Sequence, residues 1–191
     1  MCALSYKNST IEEKIAFHAA PTLLGIKPAC MLSLHEDADN LREYISRFNE
    51  RAAVKNIGIK ILCSCSSHSV ILVFNRVMLD GRRYMLAEFG YDSHMTLDQC
   101  LEQLSSRLCG AISGSGGEYP HEVGIFLGYP REDVDGFIRN KGENFKLCGY
   151  WKVYGDEVKA KRTFENYTKC RSFLCNKLSQ GCDIYQALKI S

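Results

Sequence analysis

At 191 residues, with 46% hydrophobic and 24% charged side chains, the chain has the composition of an ordinary globular protein, which excludes fibrous and disordered classes and predicts a single domain over residues 1–191. Its 24 Lys and Arg against 22 Asp and Glu leave a formal net charge of +2, too weak a field for a dedicated nucleic-acid binder or for capture by an anionic membrane. Met1 to Asn8 carries no basic start followed by an apolar run, and no later stretch reaches about eighteen uninterrupted apolar residues, so a soluble, cytoplasmic protein is expected.

Ser9 with Glu12 forms a capping-box pattern, and Ile11, Ile15 and Ala19 share one face before Pro21, which predicts a first helix over about residues 10–20. Ala29 to Leu34 is a short, nearly all-apolar run and reads as a central strand covered on both faces. Asp37 is placed to cap a second helix with Leu41, Tyr44, Ile45, Phe48 and Ala52 on its buried stripe. Ile57 to Cys65 and Val70 to Asn75 read as a hairpin joined by Ser66-Ser67-His68-Ser69, which makes the sheet mixed rather than purely parallel. Arg76 to Tyr91 reads as a turn at Asp80-Gly81 followed by a short helix.

Thr96 with Gln99 opens a further helix whose stripe of Leu97, Leu101, Leu104 and Leu108 ends near Gly110. Gly114-Ser115-Gly116-Gly117 is a loop, too short for an interdomain linker. Beyond it the pattern predicts a strand Val123 to Gly128, a helix Pro130 to Asn140, a strand Phe145 to Tyr154 and a long helix from Asp156 to about Ser179. If parallel, those two strands imply a right-handed crossover. The expected fold class is α/β, with α+β as the alternative: a mixed sheet of about five strands covered by helices, the long C-terminal helix packing through Phe164, Tyr167, Leu174 and Leu178.

The stretch His121 to Pro130, continuing through Asp133-Val134-Asp135-Gly136-Phe137-Ile138 to Gly149-Tyr150-Trp151-Lys152-Val153-Tyr154-Gly155-Asp156, resembles the domain-of-unknown-function 3793 family. Ala20-Pro21-Thr22-Leu23-Leu24-Gly25-Ile26-Lys27-Pro28 is similar to the same family's first block, so the resemblance spans nearly the whole chain. It implies a bacterial protein, typically of anaerobic Firmicutes, with no assigned activity. It also implies members encoded beside flavodoxin-like proteins, hence a flavodoxin-like redox partner and a role in redox or iron metabolism.

Ten cysteines without an export signal should stay reduced, mostly as small buried hydrophobes. Cys63, Cys65 and His68 place two thiols and an imidazole near a hairpin end, the ligand types for zinc, but a closed site needs a fourth ligand that the spacing does not supply. Cys170 and Cys175 fall about 140° apart on a helix, which argues against an iron–sulfur site with Cys182. No nucleophile signature is present, so no catalytic residue is assigned. His18 reads as a hydrogen-bonded core histidine, and His121 and Glu122, being adjacent strand residues, should point to opposite faces.

The best location for function is the turn Gly128-Tyr129-Pro130, between a strand and a helix. Glu132 and Asp133 in the first helical turn count against a nucleotide there. On the strand Phe145 to Tyr154 one face carries Phe145, Leu147, Gly149, Trp151 and Val153 toward the core. The other carries Lys146, Cys148, Tyr150, Lys152 and Tyr154, a set suited to a planar anion. The candidate ligand-binding residues are therefore Tyr129 and Tyr150 as ring surfaces, Lys152 as the counter-charge and Asp133 as the group orienting the turn. They point to a noncatalytic cytoplasmic accessory or small-ligand-binding protein. The alternatives are a thiol- or metal-dependent enzyme resting on Cys63, Cys65 and His68, and a protein-interaction subunit.

Overall fold

The computed structural model describes residues 9–65, 68–114 and 118–190. Helix α1 spans Ile11–Leu23, and its capping box is Thr10 with Glu13, one residue later than the Ser9–Glu12 pattern. Glu12 is engaged elsewhere, its carboxyl accepting a bond from the backbone N–H of Ile184. The helix runs past Pro21, because a proline in the last turn removes one donor and leaves the rest of the ladder intact. Strand β1, Ala29–Leu34, follows after a short turn. Helix α2, Ala38–Ala52, is capped by Asp37, whose Oδ1 accepts from the N–H groups of Asp39 and Asn40, and it buries Leu41, Ile45, Phe48 and Ala52.

Strands β2, Ile57–Ser64, and β3, Ser69–Asn75, form the expected hairpin, with Ser66 and Ser67 of its connection outside the described residues. The strand order is β1-β3-β2 and every pairing is antiparallel. Two expectations are corrected here: the sheet is not mixed, and β3, not β1, lies at its centre. An apolar run reports what covers the faces of a strand, whichever neighbours it has along the sheet. Ile71 and Val73 of β3 enter one core with α1, α2 and the C-terminal helices, while Leu72 and Phe74 enter a second core on the opposite face.

That second core is built on α4, Leu97–Ser113, which is capped by Thr96 and Gln99 as its sequence predicts and buries Leu97, Leu101, Leu104 and Leu108. Before it come α3, Arg76–Asp80, and a 3-10 helix, Arg83–Phe89. Of the Gly114–Gly117 loop, residues 115–117 lie outside the described residues.

The run expected to be a strand, Val123 to Gly128, instead forms the short helix α5, Val123–Phe126. Val123 to Leu127 are all buried, so burial on every side removes the alternation that separates a strand from a helical turn. Helix α6, Arg131–Arg139, follows as expected. The strand expected over Phe145 to Tyr154 is corrected to a tight ribbon of β4, Leu147–Cys148, and β5, Lys152–Val153. Because the chain folds back within it, the expected faces do not hold: Trp151 and Val153 are buried, whereas Phe145 is 41% exposed. Without those strands the expected parallel crossover is absent among the described residues. Helix α7, Glu157–Ser179, is capped by Asp156, packs through Phe164, Tyr167, Leu174 and Leu178, and is followed by α8, Ile184–Leu188.

The class is α+β: a three-stranded antiparallel sheet with helices on both faces, and a two-stranded ribbon laid on α7. No helix among the described residues is long and apolar enough to cross a membrane.

Asp133 pins the ribbon. It is 3% exposed; its Oδ2 accepts the Trp151 indole N–H at 2.7 Å, and its Oδ1 accepts the backbone N–H groups of Tyr154 at 2.7 Å and Gly155 at 2.8 Å. Asp133→Ala leaves one buried and two half-buried donors without their acceptor and is expected to lower stability by about 3 kcal/mol. Urea denaturation followed by Trp151 fluorescence checks this; a loss under about 1 kcal/mol contradicts the pinning role.

Candidate functional site

The four residues singled out by the sequence separate into two places. Tyr129 and Tyr150 meet: the Tyr129 hydroxyl donates to the Tyr150 carbonyl at 3.3 Å, and the Tyr129 ring stacks on Trp151 with centroids 5.1 Å apart. Asp133 spends both carboxyl oxygens on the ribbon. Lys152 donates to the Gly142 carbonyl at 2.7 Å and lies over the rings of Phe137 and Phe145, away from the tyrosine pair.

Tyr129 and Tyr150 form one wall of a cavity of about 160 Å³ enclosed by the end of α1, the start of β1, the Leu127–Tyr129 turn and α7. Its polar lining is completed by His18, Lys27, Cys30, Tyr167 and Arg171. Lys27 is the unusual member. The residue is 6% exposed, yet among the described residues it forms no ion pair, and its Nζ lies over ring faces, 5.5 Å from the Tyr129 centroid and 5.6 Å from that of Tyr167. Removing an ammonium from water costs several kcal/mol, whereas two cation–π contacts return about 0.5–2 kcal/mol each. Burial accordingly pulls the Lys27 pKa below its ordinary value, with the Cys30 thiol opposing the shift.

The same burial pushes the Cys30 thiol up against the pull of Lys27 and Arg171, raises Tyr129, and raises Tyr167 to about 12. It lowers His18, where Arg171 adds to the effect. The site thus combines two cations, Lys27 and Arg171, with no carboxyl group among the described residues of its lining.

Local chemistry places these groups. Pro21 has no N–H, so the Phe17 carbonyl four residues earlier loses its helical donor. Arg171 supplies the replacement, donating from Nε at 3.0 Å, and its guanidinium lies over the rings of Phe17 and Tyr150. Lys27 precedes a proline, which favours extended backbone and carries the chain out of the helix end into β1. Across from it Gly128 adopts φ +79°, and a Cβ there would lie 2.5 Å from the Pro28 ring. A bare backbone at Gly128 lets the turn close on Pro28 and sets Tyr129 over Lys27.

The sequence profile of the family described as "Protein of unknown function (DUF3793)" matches residues 15–188. The chain belongs to this family. No curated protein and no solved structure matches it. The cavity lies within the matched DUF3793 region.

Lys27, Cys30, Tyr167 and Arg171 were missed by sequence reasoning. The available signal was a lysine embedded in the apolar run Leu23-Leu24-Gly25-Ile26-Lys27-Pro28-Ala29. A loop lysine ordinarily points to water, and nothing in that run reveals what lies above it.

Elsewhere in this DUF3793 chain, Cys65 Sγ and His68 Nδ1 stand 3.1 Å apart, and the His35 and His68 ring centroids are 5.6 Å apart. Cys63 engages the thiol of Cys109 on α4; burial and that contact push it up to about 11. Among the described residues no group of three or more His, Cys, Asp or Glu is arranged to hold a metal ion. Of the C-terminal cysteines, Cys175 is buried, and Cys170 and Cys182 are half-buried. Glu122 does not pair with His121; it is buried against Arg107 Nη1 at 2.6 Å and accepts from the Tyr91 hydroxyl at 3.1 Å. These charges border a cavity of about 420 Å³, but they satisfy one another.

Gly128→Ala combines a strained backbone with a clash against Pro28, and is expected to cost about 2 kcal/mol while moving Tyr129 off Lys27. Thermal unfolding together with the Tyr129 ring resonances measures both effects; an unshifted Tyr129 would show that Gly128 does not set the wall.

Proposed function

We propose that this chain is a cytoplasmic binding module for a small anionic ligand, held in the cavity between α1, β1 and α7 by the positive charge of Lys27 and Arg171. The observation that carries the reading is the burial of Lys27 with no carboxyl partner among the described residues. A bound anion supplies the compensation that the tyrosine faces do not. Arg171 offers planar donors suited to a carboxylate or phosphate, and the phenol rings shield the charges from water. A volume of about 160 Å³ is below the usual range for cofactor-sized ligands, which restricts the occupant to a few heavy atoms. The exposed thiols of Cys65 and Cys148 fit a reducing compartment.

A site kept for a ligand costs stability when the ligand is absent. Lys27→Met is therefore expected to raise the stability of ligand-free protein by about 1–2 kcal/mol. The test is thermal unfolding of the purified chain and of Lys27→Met with and without inorganic phosphate, acetate or pyruvate. At least one anion should raise Tm saturably in the wild type and leave the variant unchanged. If no anion shifts Tm, or if Lys27→Met is destabilised, the reading fails and Lys27 is a structural residue.

The pH dependence has a definite sign. The folded state holds the Lys27 proton less tightly than the unfolded chain, whose lysine keeps its ordinary value of 10.5. Between the folded value and 10.5 the unfolded state binds more protons, so this group makes stability rise with pH across that window. Anion binding favours the protonated lysine, so affinity falls as pH rises through the folded value. Cys30, Tyr129, Tyr167, His18 and Arg171 face the same cavity, and the comparison with Lys27→Met isolates the lysine's share. Calorimetric anion titrations across this range check it; affinity that holds steady or rises contradicts the assignment.

A further inference from the structure

We propose that Lys27 is an imine-forming lysine and that its cavity captures a small 2-oxo acid, the carbonyl through the lysine amine and the carboxylate through Arg171. The inference rests on the anion-binding reading above and deepens it by naming the ligand's chemical class.

A lysine attacks a carbonyl only as the free amine, and desolvation in a largely apolar enclosure is the ordinary way a protein supplies that form near neutral pH. Lys27 meets the condition: it is buried, it touches ring faces rather than carboxyl groups, and it opens on a cavity. The other nucleophile present is disfavoured. Cys30 is buried, and its thiol donates to the His18 carbonyl at 3.2 Å, which holds the proton on sulfur.

The carboxylate requirement follows from charge. A protonated imine keeps the positive charge that Lys27 brought, so a neutral aldehyde would leave the buried cation as poorly compensated as before. A carboxylate one bond from the carbonyl compensates it and meets Arg171. The guanidinium of Arg171 is fixed through Nε on the Phe17 carbonyl and by the flanking rings of Phe17 and Tyr150, which leaves its terminal N–H groups for a ligand. A 2-oxo acid places both functions within a span of a few atoms, as the cavity volume requires.

The chemistry balances without a redox partner. The Lys27 ammonium gives up a proton, and the nitrogen lone pair forms a bond to the carbonyl carbon as the C=O π pair moves to oxygen. Proton transfer to that oxygen lets it leave as water. The net change is ammonium plus ketone to protonated imine plus water, with charge conserved. His18 and Tyr167 line the same cavity and can relay the protons.

The test is incubation of the intact chain with pyruvate and sodium cyanoborohydride, whose hydride converts the imine carbon into a stable secondary amine, followed by intact-mass analysis and peptide mapping. One saturable adduct per chain is expected at Lys27, formed at least about tenfold faster than at exposed lysines, because a more acidic ammonium presents more free amine. Lactate, which has the carboxylate but no carbonyl, should compete with the adduct in the wild type. Lys27→Arg, which keeps the positive charge but has no amine able to form the imine, should lose the adduct. Adducts scattered over surface lysines, or labelling indifferent to lactate, overturn the inference. A rise in Tm with pyruvate but no adduct also overturns it while sparing the anion-binding reading; neither a Tm rise nor an adduct removes both.

Discussion

A positive charge taken out of water has to be answered by something, and in this chain the demand centres on Lys27. The ammonium sits under two tyrosine rings where helix α1 gives way to strand β1. Ring quadrupoles attract a cation weakly compared with the solvation it forfeits, so the site is incomplete in electrostatic terms even though it is well packed. The downward direction in which its proton affinity moves follows from that one imbalance.

The cavity exists because backbone irregularities from three parts of the chain coincide. Pro21 takes one hydrogen bond out of α1, and the orphaned Phe17 carbonyl draws Arg171 across from α7. Gly128 adopts a left-handed conformation against Pro28, which brings in Tyr129 from the turn after α5. The ribbon β4–β5, fastened by Asp133, supplies Tyr150 and the Trp151 plate behind Tyr129. Each device is local, and none involves the others in sequence. What joins them is the sheet, which fixes where the end of α1 and the start of β1 must lie.

The regular helices were legible in the sequence. Thr96 with Gln99, Asp37 and Asp156 mark helix starts through side chains that accept nearby N–H groups, and the stripes of α2 and α4 bury the residues their spacing selects. Legibility failed where burial is complete or pairing is non-local. Val123 to Phe126 is apolar on all sides and so carries no period to read. The place of β1 at a sheet edge depends on which strand pairs with which, a fact held jointly by distant residues. The turn at Tyr129 and the tyrosine at position 150 could be seen as polar aromatic surface. Lys152 was an equally good sequence candidate for the cation, but the ribbon's tight reversal sends it to the Gly142 carbonyl. Lys27 was hidden because its burial is created by Gly128, Tyr129 and Tyr167, far along the chain.

Two other buried ionisable groups show how this fold treats charge where structure alone is at stake. Glu122 is met by Arg107 and by the Tyr91 hydroxyl, and Asp133 receives three donors at 2.7–2.8 Å. In both cases geometry supplies partners at hydrogen-bond distance, as buried polar groups generally require. The same chain that completes these two sites leaves Lys27 with ring faces. General tolerance of uncompensated charge therefore does not explain the lysine, since its counterparts are not tolerated uncompensated. The difference lies in what adjoins them: the donors of Asp133 are backbone and indole N–H groups that never leave, whereas Lys27 opens on a cavity with a guanidinium fixed in the same wall. A charge with no ion-pair partner among the described residues, adjoining a cavity of molecular size, is what the proposed anion site rests on.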